Sequence, residues 1–177
     1  MVFAHDTEGA LVAAVALVNS AEEPVTMTTT DELAEFFVAH DYTGRLDGDQ
    51  AELDAVRRIL PRLRELLTSP RDEAVVIVNE LLAEAKALPQ LVRHGDTDWH
   101  LHAVEDDRPL HVRIVVETAM AMIDVIRADE LSRLDICADG DCEAIVLDLS
   151  RNRSRRFCST TCGNRAAVAA YRARQAQ

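Results

Sequence analysis

All four cysteines of this 177-residue chain fall in its final quarter, as Cys137, Cys142, Cys158 and Cys162 in the pattern C-x4-C-x15-C-x3-C. No other feature constrains the fold as strongly. Each close pair forms a tight turn that can aim two thiolates at one point, and the 15-residue excursion between the pairs is long enough for a hairpin. Two structural disulfides or an iron–sulfur cluster would use the same residues. An otherwise cysteine-free chain expected in the cytoplasm argues against disulfides, and iron–sulfur ligand spacing is usually tighter. The spacing favours one zinc ion per chain held by four thiolates. Such a shell leaves no open position, so the expected role is structural: a segment with few apolar residues takes from the metal the folding energy its core lacks.

Charge sets the same segment apart. Residues 143–177 hold seven arginines against Glu143 and Asp148, a balance of +5, whereas the rest of the chain carries −17 of the overall −12. Lys86 is the only lysine. The basic residues are thus guanidinium groups, which suit bidentate contacts with phosphates and guanine edges. Arg151, Arg153, Arg155 and Arg156 are expected on and around a hairpin tip formed by "EAIVLDLS" and the returning "RRFC". Arg165 and Arg172, seven apart, should share one face of a following helix, with Arg174 pointing away. Together they read as a polyanion-binding surface on an acidic body. Docking of the arginines on the acidic part of the same or a neighbouring chain is the plainer alternative.

The remaining sequence reads as mostly helical. Aromatic residues are only 4% of the chain, so the core must be aliphatic. "ALVAAVALV" (10–18) predicts a buried helix, too short to span a bilayer and preceded by Asp6 and Glu8 instead of a basic leader. No membrane association is expected, and the cytoplasm is the expected location. Thr29 and Glu32 have capping-box spacing ahead of Leu33, Phe36 and Phe37. "DYTGRLDGD" is a loop. Leu53, Val56, Ile59, Leu60, Leu63, Leu66 and Leu67 mark an amphipathic helix that Pro61 should kink. Residues 72–88 predict another helix, and 99–104 a strand. Residues 110–127 read as helix, although "VRIVV" also suits a strand. The fold class is therefore mostly α with a small β component (α+β). A helical N-terminal domain over 1–130 precedes a zinc-ribbon or treble-clef-like hairpin and helix over 134–177.

The string "CGNR" (162–165), within "LDLSRNRSRRFCSTTCGNR" and followed by "YRAR" (171–174), resembles the CGNR zinc-finger family of bacterial proteins. One departure is visible: this chain has C-x3-C where the family often has C-x4-C. More loosely, "LVAAVALVNS" (11–20), "DELAEFF", the leucine-rich helix and Trp99 follow the layout of the ABATE domain usually joined to this finger, described as a stress-induced transcription regulator. The resemblance implies a DNA-binding regulator whose N-terminal domain senses a signal. Asn164 thereby joins the seven arginines as a nucleic-acid contact. A homodimer and a small-molecule effector of unknown identity fit the same picture. The competing reading is a zinc-stabilised protein-interaction module that does not touch DNA.

Other chemistry finds little support. His94, His100, His102 and His111 fall close together, but no nucleophile and no HExxH pattern accompanies them, and they read as ordinary surface or half-buried histidines. There is no glycine-rich phosphate loop, and no enzymatic activity is expected. Asn19 and Trp99, polar or amphipathic within apolar segments, could line a small pocket as easily as pack.

Overall fold

The computed structural model of the protein describes residues 2–94 and 97–175, without the side chains of His94, Thr97 and Asp98. Helices α1 (His5–Asn19), α2 (Thr30–Ala39), α3 (Gln50–Thr68) and α4 (Arg71–Ala85) lead into a hairpin of β1 (Gln90–His94) and β2 (Thr97–His102). Helix α5 (Leu110–Arg127) follows. A short 3-10 turn then enters β3 (Leu134–Ile136), β4 (Ile145–Leu147) and α6 (Thr160–Gln175). Both two-stranded sheets are antiparallel. The α+β expectation holds.

Helix α5 is the centre of the body and packs against α1, α3 and α4. Its Leu110, Ile114, Ala119, Met122 and Val125 are almost fully buried. The β-branched "VRIVV" start is helical because helix propensity differs by only a few tenths of a kcal/mol for such residues, far less than burial contributes at a central helix. The capping box forms as the sequence predicts: Thr29 Oγ1 accepts from the Glu32 N–H, and the Glu32 carboxylate accepts from the Thr29 N–H. Helix α3 runs on through Pro61, an exposed residue, so the carbonyl it orphans at exposed Arg57 faces water. Helix α4 stops three residues short of Leu88 because Lys86 takes the left-handed conformation, with φ 54°.

The loop after α2 is pinned from beneath. The buried Arg113 guanidinium donates to the carbonyls of Thr43, Arg45 and Arg108. Gly44, at φ 79°, brings its backbone against Asp106, where a Cβ would sit 2.4 Å from the Asp106 carbonyl oxygen. Only glycine fits there.

The core crosses the expected boundary at residues 130–134. Ile145 and Leu147, 1% and 6% exposed, belong to the same apolar cluster as Leu11, Leu17 and Leu63, and β4 lies against α1. Asn19 closes this seam. Its Nδ2 donates to the Ile145 carbonyl at 2.8 Å, and its Oδ1 accepts from the Ile145 N–H at 2.7 Å, so a side-chain amide continues the strand's hydrogen bonding. Asn19 therefore joins two regions. Trp99 is 63% exposed on β2.

Candidate metal centre and basic helix

Residues 134–147 form a hairpin whose turn carries the first two cysteines. Strand β4 pairs with β3, Leu134 opposite Leu147 and Ile136 opposite Ile145. The sequence reading paired "EAIVLDLS" with the arginine-rich return, and the structure corrects it: the return to Cys158 is irregular, tied to the first turn by a bond from the Ala138 N–H to the Arg156 carbonyl at 2.8 Å. Two further bonds shape that turn, from the Cys137 N–H to the Ala144 carbonyl and from the Cys142 N–H to the Asp139 carbonyl. The second pair sits at the start of α6. Ser159 Oγ accepts from the Cys162 N–H at 3.2 Å, an N-cap that sets Cys162 one turn beyond Cys158.

These turns converge. The four Sγ atoms lie within 4.8 Å of one another, with Cys142–Cys158 at 3.6 Å and Cys158–Cys162 at 3.5 Å. Tetrahedral thiolates about 2.3 Å from a zinc ion would be about 3.8 Å apart, so the donor set fits the metal. The electrostatics point the same way. Burial, followed by the neighbouring thiols, pushes Cys158 up to about 12. At Cys142 the Ala144 N–H lowers the value, but burial and the Cys162 and Cys137 thiols outweigh it. Cys137 goes the other way: burial raises it, yet the N–H groups of Cys158 and Asp139 bring it below the usual thiol range. Four thiolates this close need a cation among them, and a divalent metal would supply it.

Around the cluster lies a shell of ionic groups, anchored on buried Arg133, Asp139 and Asp148, that sequence reasoning missed. Arg165, the last residue of the CGNR string, places its Nε 2.5 Å from Asp139 Oδ2 and its Nη2 3.6 Å from Cys162 Sγ. It clamps α6 to the first cysteine turn. Asp148, 5% exposed, accepts from the N–H groups of Ser150 and Arg155 and folds the loop after β4. Buried Arg133 donates to the Asp148 and Ser150 carbonyls and pairs with Glu130, whose other oxygen takes Arg153 at 2.8 Å. The one hint in the sequence was Asp148, one of only two acids in the basic segment 143–177.

The basic residues thus divide into two groups. Arg153, Arg155 and Arg165 make internal contacts, Arg155 through weak bonds to the Leu147 and Cys158 carbonyls at 3.5 and 3.3 Å. Arg156 stacks over Phe157. Arg151, Arg172 and Arg174 have no hydrogen bond or ion pair among the described residues, and Asn164 is exposed. Helix α6 itself projects: every residue from Ala167 to Gln175 is exposed. Of the histidines, His100 and His102 lie together on β2 and His111 stands on α5, while the side chain of His94 is outside the described residues. Among the described residues no helix is long and apolar enough to cross a membrane.

Two family models match the chain. No curated protein matches it. The family model "CGNR zinc finger" matches residues 133–175, the stretch that carries the cysteine cluster, its ionic shell and α6. A second model, "ABATE: Putative stress-induced transcription regulator", matches residues 11–129, the helical body built around α5. With that match spanning well over half its length, the chain belongs to the ABATE family and carries a CGNR zinc finger at its C-terminal end.

Proposed function

We propose that the chain is a DNA-binding transcription regulator, working by binding and not by catalysis. Cys137, Cys142, Cys158 and Cys162 hold one structural zinc, and the basic face of the finger contacts the duplex. The observation that carries this reading is α6, a helix exposed over its last nine residues, mounted on the cysteine cluster and ending in Arg172 and Arg174. A fully exposed Ala- and Arg-rich helix of this length has little stability of its own, so it is built to be covered. Arg151, Arg156, Arg172 and Arg174 are the groups most available to phosphates. Arg153, Arg155 and Arg165 shape the surface through their internal contacts, and Asn164 stands exposed beside the metal centre. The body, acidic overall, keeps the duplex to the basic side. A regulator of this kind acts in the cytoplasm, and its body is the part available to receive an effector.

The test is a fluorescence-anisotropy titration of the zinc-loaded full chain with duplex DNA at several salt concentrations. Four phosphate contacts give a log–log slope of about −3.6, and Arg172→Ala reduces its magnitude by about 0.9. Absence of salt-dependent binding would sink the DNA reading. One observation favours a protein partner in that event: Val168 and Tyr171, three apart on α6, are 48% and 57% exposed and give the helix a small apolar stripe. Their replacement by alanine would then abolish partner capture while leaving the metal in place.

A further inference from the structure

We infer a second metal site, on the body, for a divalent transition-metal ion held by His100 and His102. The two residues stand two apart on β2, so they share one face of the strand. Their Nε2 atoms are 3.1 Å apart. Two imidazole nitrogens bound to one ion at about 2.0–2.1 Å lie about 3.3 Å apart in a tetrahedral shell and about 2.9 Å apart at right angles, and the observed separation falls between the two. Both rings are half-buried, and they meet edge to face with centroids 4.9 Å apart.

The surroundings orient the pair. Asp106 Oδ1 sits 3.3 Å from His102 Nδ1, on the side of the ring away from His100. A carboxylate there favours the proton on Nδ1 and leaves the Nε2 lone pair for a metal, the usual arrangement behind a metal-bound imidazole. Asp106 is itself held in place, its carbonyl accepting from the Arg45 N–H at 2.9 Å and its backbone packed against Gly44. Between the two histidines, the Leu101 N–H donates to Asp6 on α1, fixing the strand to the body. His102 and Asp106 also line an open cleft of about 300 Å³ with Gln90, Glu105 and Arg108. Water or a small anionic ligand can enter there and complete the coordination shell. Unlike the four-thiolate cluster, this pair offers nitrogen ligands, which suit a borderline metal such as zinc. The assignment stands independently of DNA binding.

The test measures zinc content of the full chain after equilibrium dialysis against buffered micromolar Zn2+. Wild type is expected to hold two ions per chain, and the double variant His100→Gln/His102→Gln one fewer. Asp106→Asn should weaken the second ion 10- to 100-fold without touching the first. A measurement that needs no variant is an NMR titration of the zinc-loaded wild type: further Zn2+ should move the imidazole resonances of His100 and His102. Equal zinc content in wild type and double variant, or unmoved imidazole resonances, overturns the site and identifies the pair as a hydrogen bond between two rings.

Discussion

The body and the finger reach a folded state by opposite means. The body buries a continuous aliphatic core, with Leu11, Leu17, Leu33, Leu53, Leu63, Leu66 and Ile114 almost completely removed from water. The finger's own cluster consists of Cys137, Val146 and Cys162, with Cys142, Phe157 and Cys158 packed at its edge. So few side chains cannot offset the conformational entropy of about forty ordered residues. Three things make up the deficit: the metal that the thiols are arranged to hold, the ion pairs around it, and the packing of Ile145 and Leu147 into the body's core. One region folds by area, the other by chemistry. The part held by chemistry exposes nearly all of α6.

Removal of the metal is the largest perturbation this comparison predicts. A structural zinc contributes on the order of 10–16 kcal/mol to small finger domains. Cys158→Ser should therefore strip the ion and leave residues 148–175 open to protease, while α1 to α5 stay protected. Limited proteolysis with mass spectrometry locates the cuts. Cleavage spread equally through the body would show that the two regions fold as one unit and that the contrast is false.

The next effect falls on the seam. Asn19→Ala removes both bonds to Ile145 and leaves a buried N–H and carbonyl without partners, at about 1–3 kcal/mol each. We expect a loss of about 2–4 kcal/mol in denaturant unfolding with zinc content unchanged. A loss below 0.5 kcal/mol would mean that the finger is only tethered to the body.

How much of this was legible beforehand depends on the range over which each feature is determined. Local chemistry was readable: the capping box at Thr29 and Glu32, the aliphatic periodicity of α3 and the two cysteine turns are set within a few residues. Convergence of the turns followed from the identity of the ligands. Pairings that depend on tertiary placement were not readable. Nothing near Asn19 indicates that it meets Ile145, 126 residues later. The charge count found the basic arm but could not separate Arg165, engaged with Asp139, from Arg172, which has no ion pair among the described residues. Strand β4 has β3 as partner, which brings Leu134 and Ile136 against the aliphatic core beside α3, whereas the arginine-rich return has no aliphatic residue to place there. The histidines were discounted for lack of a known pattern, since spacing alone does not show which ring nitrogens meet.

The smallest effect we predict separates the regions by pH. Glu117, on α5, is pushed up to about 7, first by burial and further by Asp106, with Arg113 acting against both. Its ordinary value is 4.5, so between about pH 4.5 and 7 the folded body binds a proton that the unfolded chain has released. Stability of the body therefore falls as pH rises through that window, and the penalty is fully present above it, at about 1–3 kcal/mol. Glu117→Gln keeps the shape and removes the titration. It should leave stability at pH 4.5 unchanged and raise it by that amount at pH 8. The finger should run the other way, because its thiols must lose protons to bind metal, so its protection from protease increases with pH over the same range. Opposite slopes in one pH series, with only the body's slope flattened by Glu117→Gln, would show two differently stabilised regions sharing one seam. Parallel slopes would place the pH dependence in the seam itself.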